Sequence, residues 1–138
     1  MWYNGGRHRD GAYGNLLKPI GGQALELLDT ARLILDAIAS KMGSDIVLLD
    51  LSQVTLIADY FIIATGESER QLDALAQSVV DQGKEAGLQL LSVQGTAASG
   101  WTLIDYGGIV VHLFSPAQRK RYQLEEFWSN GRTVVRIA

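Results

Sequence analysis

The groups that could move a proton or hold a metal are few in this chain. It has two histidines, no cysteine and a scatter of carboxylates. Without cysteine there is no disulfide, no thiolate metal site and no cysteine nucleophile. His8 stands in a glycine-rich leader, so His112 is the one imidazole expected in an ordered element. A zinc site needs several convergent N, S or O ligands, which one imidazole hardly supplies. No phosphate loop of the G-x-x-x-x-G-K-S/T type is present, no G-x-G-x-x-G follows a strand, and there is no H-E-x-x-H. A serine triad would have to use His112, and no G-x-S-x-G elbow accompanies it. Asp50 and Asp59 fall in strand-like contexts. A two-metal nucleotidyl-transfer site wants converging carboxylates, and Gly43-Ser44 is followed by no Asp-x-Asp pair. Both aspartates therefore read as strand-end hydrogen-bonding residues. The expectation is a protein with no catalytic, cofactor or metal site.

What remains is a hairpin. Gly107-Gly108 between two apolar runs is a strong two-residue turn signal. With that turn, Asp105 faces Val110, Leu103 faces His112 and Trp101 faces Phe114. One face then carries Trp101, Leu103, Asp105, Val110, His112 and Phe114. The other carries Thr102, Ile104, Tyr106, Ile109, Val111 and Leu113, is nearly all apolar, and should lie under a helix. Asp105 is diagonal to His112, within reach of its imidazole. The two could form a catalytic pair; a structural hydrogen bond is the simpler reading, because a half-buried histidine needs a partner. Trp101 has two readings as well. It is either a core residue or an anchor for a partner, since tryptophan is enriched among interface hot spots.

Several elements must position that hairpin. Residues 1–22, punctuated by six glycines and Pro19, read as a flexible leader. A helix is expected over 23–41, with Leu27, Ala31, Ile34 and Ile38 at helical spacing. Strands are expected at 45–51 and 58–65. A second helix over 69–86 opens on a Ser68/Gln71 capping box, and its Gly83 could allow close packing on the sheet. Strands at 88–94, 101–106 and 109–114 follow. A short helical stretch from Pro116 ends in an apolar lid of Leu124, Phe127 and Trp128. Residues 131–138 form a tail that either adds an edge strand or hangs free. The order implies one α/β domain over 23–130, a mixed sheet of about five strands flanked by helices.

Net charge is −3 over 138 residues, unevenly spread. Residues 45–105 hold nine acids against Arg70 and Lys84, a net of −7, while residues 106–138 hold five bases against two acids, a net of +3. The acidic middle suits a basic protein partner better than a phosphate backbone. Arg119, Lys120, Arg121, Arg132 and Arg136 leave a general RNA-binding role open, although Arg119 to Arg121 read more simply as a solvated helix turn. No apolar run approaches the roughly 20 residues that span a bilayer. No secretory signal is apparent, and a cytoplasmic protein is expected.

Five segments resemble one known family. They are DIVLLDLS (45–52), ADYFIIATGESERQ (58–71), EAGLQLLSVQG (85–95), WTLIDYGGIVVHLF (101–114) and YQLEEFW (122–128), in matching order and spacing. From about residue 24 to 129 the chain is similar to the ribosomal silencing factors, also called the Iojap-like family. The resemblance implies a nucleotidyltransferase-like fold without the catalytic acids. It also implies binding to the large ribosomal subunit through ribosomal protein fourteen, which blocks subunit joining and represses translation. The family's contact residues match Trp101 and Tyr106, with Asp105 beside them. Sequence-specific nucleic-acid binding is not implied, and family members often crystallise as dimers, so a homodimer is a further expectation. Two positions depart from the family pattern: Gly108 and Gln94 each stand where an acid is common. The alternatives kept beside this reading are a divergent nucleotidyltransferase and a general RNA-binding protein.

Overall fold

The computed structural model describes the backbone of residues 22–138 and side chains from residue 27 onward. The expected leader lies outside the described residues, apart from Gly22 at the start of the first helix. Helix α1 (Gly22–Ser40) and strand β1 (Ser44–Asp50) come first. Strand β2 (Tyr60–Thr65) and helix α2 (Glu69–Glu85) follow, then strands β3 (Ser92–Thr96), β4 (Trp101–Asp105) and β5 (Ile109–Phe114). Two short helices, α3 (Pro116–Tyr122) and α4 (Leu124–Phe127), lead to strand β6 (Arg132–Ile137).

The six strands form one mixed sheet in the order β3-β4-β5-β2-β1-β6. Only the β2–β5 pair is parallel, the arrangement that a helical crossover through α2 permits. β5 is buried at every residue because it lies inside the sheet with both faces covered. Its run of β-branched and aromatic residues suits that place. The expected hairpin register is the observed one, with Asp105 opposite Val110, Leu103 opposite His112 and Trp101 opposite Phe114.

The two faces are packed differently. Helices α1 and α2 cover one face, where Ile34, Ile38, Leu72, Leu75 and Val79 meet Ile104, Ile109 and Val111. Ser68 caps α2 by accepting from the Gln71 amide at 3.1 Å. The return bond of the expected capping box goes one residue further out: Gln71 Oε1 accepts from the Glu67 amide at 2.7 Å. Its Nε2 donates to the Met42 carbonyl at 2.8 Å, tying the start of α2 to the end of α1. Gly83 does allow close packing, because a Cβ there would run into the ring of Tyr106.

One open alternative is decided and two expectations change. The tail takes the edge-strand alternative: Arg132–Ile137 pair antiparallel with β1, which brings the sheet to six strands among the described residues. The third strand starts at Ser92 instead of Leu88. Gly87 takes φ +84°, Leu88 N–H closes onto the Gly83 carbonyl at 2.9 Å, and Leu88 packs into the helix-side core. In the lid, Leu124 and Trp128 pack on the sheet, but Phe127 points outward and is 75 % exposed.

Candidate functional site

On the sheet face away from α1 and α2, Val47, Leu49, Phe61, Ile63, Leu103, Val110 and Phe114 form a second core. Trp101 sits at its margin. Its ring lies 4.9 Å from that of Phe114 and 4.7 Å from that of Tyr122, centroid to centroid. Its indole N–H donates to Nδ1 of His112 at 3.2 Å. Beside it opens a cleft of about 400 Å³, walled by Trp101, Leu103, Tyr122, Gln94, Ser99 and Gln118. Gln118 is fixed by a bond from its Nε2 to the Ser99 carbonyl at 3.1 Å. Gly95 allows the strand to pass close to the Trp101 backbone and takes φ +79°, which a side chain would strain. The cleft therefore combines a half-buried indole, a half-exposed phenol and amide groups, with Arg121 over the Tyr122 ring at 5.8 Å.

The Asp105–His112 pair does not form. Asp105 Oδ1 instead accepts from the Gly107 amide at 2.7 Å, across the hairpin turn that follows it. Burial pushes its carboxyl up, and the Gly107 bond only partly opposes this. The His112 partner is Trp101. His112 is 2 % exposed, and burial pushes its imidazole down to about 3. It is neutral at any physiological pH and out of contact with solvent, so it is not placed for general acid–base work.

The three residues singled out from sequence do not form one cluster. Trp101 and Asp105 share a face but stand at opposite ends of β4, about 13 Å apart at roughly 3.3 Å per residue. Tyr106 is on the other face, 8 % exposed, and its hydroxyl donates to the Val79 carbonyl at 3.1 Å. Its phenol holds β4 against α2 and is not part of the surface around Trp101. Tyr122 and Gln118, which do line the cleft, were passed over in the sequence. The resemblance segment YQLEEFW contains Tyr122, but the apolar periodicity drew attention to Leu124, Phe127 and Trp128 instead.

Charge is arranged differently from the linear count. Glu69, Asp73, Asp81 and Glu85 stand exposed on α2, across the sheet from the Trp101 cleft. These four of the nine central acids therefore do not surround Trp101, because α2 covers the opposite face. Arg119 is not a solvated residue. It is buried, with Nε and Nη2 on the two carboxylate oxygens of Glu125 at 2.9 and 2.8 Å, and Nη1 on Thr65 Oγ1 at 2.8 Å. The spacing of three consecutive bases gave no sign of this, since Arg119 is the base that meets Thr65 of β2 and Glu125 of α4.

Asp50 accepts from the Ser52 amide at 2.9 Å and from its hydroxyl at 2.7 Å, and pairs with Arg132 at 2.9 Å. Burial pushes its carboxyl up, but these bonds outweigh it and hold it below its usual range. It is thus a strand-end residue with its lone pairs occupied. Among the described residues no cluster of three or more His, Asp or Glu could hold a metal ion. Among them, too, no helix is long and apolar enough to cross a membrane.

Comparison with known proteins supplies the family. Residues 24–137 match the model described as "Ribosomal silencing factor during starvation". The ribosomal silencing factor of Bacillus subtilis is 38% identical over 91 residues, 66% of this chain and 77% of that protein. That of Chromobacterium violaceum is 38% identical over 104 residues, 75% of this chain and 85% of that protein. A crystal structure from Chromobacterium violaceum superposes with a TM-score of 0.71 at 38% identity, covering 74% of this chain and 85% of that one. A mouse protein named for mitochondrial assembly of the ribosomal large subunit is 27% identical over 100 residues, 70% of this chain but 44% of that protein.

Proposed function

The chain belongs to the ribosomal silencing factor family, and on that premise we propose that it binds the large ribosomal subunit through ribosomal protein fourteen and blocks joining with the small one. Occupancy alone would produce the effect, so the reading needs no catalysis, and it places the protein in the cytoplasm. The choice of subunit is supported by the mouse relative, whose name refers to large-subunit assembly.

The observation that carries the reading is the state of Trp101. Its ring is held by Phe114, Tyr122 and His112 at the edge of an open cleft. An aromatic side chain already fixed in place loses little entropy on docking. Tyr122 and Gln118 join Trp101 as contact residues; Tyr106 and Asp105 act by shaping the hairpin that presents it. The acids of α2 favour a basic partner by attraction during approach, not by contact at the cleft. A homodimer through the Trp101 face would compete with the subunit, and a concentration series of binding would expose that competition.

Co-sedimentation with purified large subunits tests the reading. Trp101→Ala should leave the fold intact and weaken pelleting by about 30-fold, the equivalent of roughly 2 kcal/mol at a hot spot. Equal pelleting of the variant and the parent would remove Trp101 from the interface.

A further inference from the structure

His112 is surrounded by apolar and aromatic side chains, with the Phe61 ring at 4.6 Å and the Phe114 ring stacked at 6.3 Å. Because Nδ1 accepts from Trp101, the neutral imidazole carries its proton on Nε2. That buried N–H has no hydrogen-bond partner among the described residues. A buried donor without an acceptor destabilises a fold. An aliphatic residue in the same surroundings would remove that buried donor at the cost of freeing the indole N–H of part-buried Trp101, so stability alone does not explain an imidazole here. The bond it makes to Trp101 does.

We propose that His112 is a positioning residue: by accepting the indole N–H, it fixes the orientation in which Trp101 meets its partner. The inference rests on the reading of Trp101 as the docking anchor. Phe114 and Tyr122 bound the indole on its flanks, but ring contacts leave it free to tilt, whereas a hydrogen bond is directional. The arrangement also sets the chemistry of what docks. With its one donor already engaged inside the protein, Trp101 offers a purely apolar surface. The partner group that meets it is an aliphatic or aromatic side chain, not a carboxylate or carbonyl seeking the N–H.

The test uses the full chain with purified large subunits and compares His112→Leu, His112→Asn and Trp101→Ala with the parent. Thermal midpoints and the indole N–H resonance of Trp101 are recorded alongside binding. His112→Leu should melt at or above the parent temperature yet bind about three- to tenfold more weakly, the cost of immobilising a freed side chain. Its Trp101 N–H resonance should move and exchange faster. His112→Asn, whose side-chain oxygen can take the same N–H, should recover both resonance and binding. Binding of His112→Leu equal to the parent, with Trp101→Ala impaired, overturns the positioning role and leaves the anchor standing. Parallel loss of stability and binding in both His112 variants also overturns it, since the imidazole would then be structural. Undiminished binding by Trp101→Ala overturns the anchor, and the role of His112 with it.

Discussion

Replacing Arg119 with methionine isolates one buried ion pair that joins four elements. The guanidinium of Arg119 in α3 spans Glu125 within α4 and Thr65 at the end of β2, and lies 3.6 Å from Asp45 of β1. Methionine keeps most of the apolar stem and removes the charge and its donors. Breaking a buried pair costs roughly 3–5 kcal/mol, largely because the surviving charge is stranded. Neither acid is stranded here, because Arg136 Nη2 stays 3.0 Å from Asp45 and 3.5 Å from Glu125. The expected loss is therefore about 2–3 kcal/mol at pH 7. At about 3–5 °C per kcal/mol for a chain of this length, the midpoint should fall by about 6–15 °C. Urea and thermal unfolding measure it, with Lys120→Met on the exposed side of the same helix as a control worth less than about 0.5 kcal/mol. The effect should depend on pH in a definite direction. The Arg119 bonds hold the Glu125 carboxyl below its usual range against the pull of burial. The stabilisation is then complete above the unfolded glutamate value and is lost as pH falls through the lower folded one. A loss under about 1 kcal/mol at pH 7, or one undiminished in acid, would mean that the Arg119–Glu125 pair does not hold these elements together.

Other perturbations read other parts of the structure. Gly83→Ala should destabilise by about 1–3 kcal/mol despite the better helix propensity of alanine, because its Cβ meets the Tyr106 ring. Tyr106→Leu in the same chain should relieve part of that loss, a non-additivity that a double-mutant cycle in urea would register. Asp105→Asn should raise stability slightly at neutral pH, by less than about 1 kcal/mol. The amide keeps the acceptor for Gly107 but carries no buried charge. Because the folded Asp105 pKa is raised, the advantage of asparagine should shrink as pH falls through that value; an advantage that grows in acid would contradict the assignment.

The hairpin was legible to the residue because a Gly-Gly turn between β-branched runs leaves one register, and alternation then assigns both faces. Helices α1 and α2 were legible within a residue or two for the same kind of reason, apolar periodicity, joined at α2 by the Ser68 cap. What escaped was tertiary. The Asp105–His112 bond was inferred from proximity alone, but the turn amide of Gly107 is nearer to Asp105 in the chain and competes successfully. The burial of Arg119 depends on Thr65, from a distant part of the chain, and Glu125 of α4 converging on it, and nothing local in Arg119-Lys120-Arg121 separates the first base from the next two. The C-terminal strand needed β1 as a partner, so its own sequence left both outcomes open. Trp101 was found because its face could be derived; Tyr122 and Gln118 were missed because they reach the cleft from a different element.

In the proposed function, this chain keeps ribosomal subunits apart by occupying the large one. The direct measurement loads purified large subunits with the protein, adds small subunits, and separates the products on a gradient. The joined-ribosome peak should fall, with free large subunits carrying the protein, and should be restored with Trp101→Ala at equal concentration. A joined peak of normal size while the protein still sediments with the large subunit would contradict it.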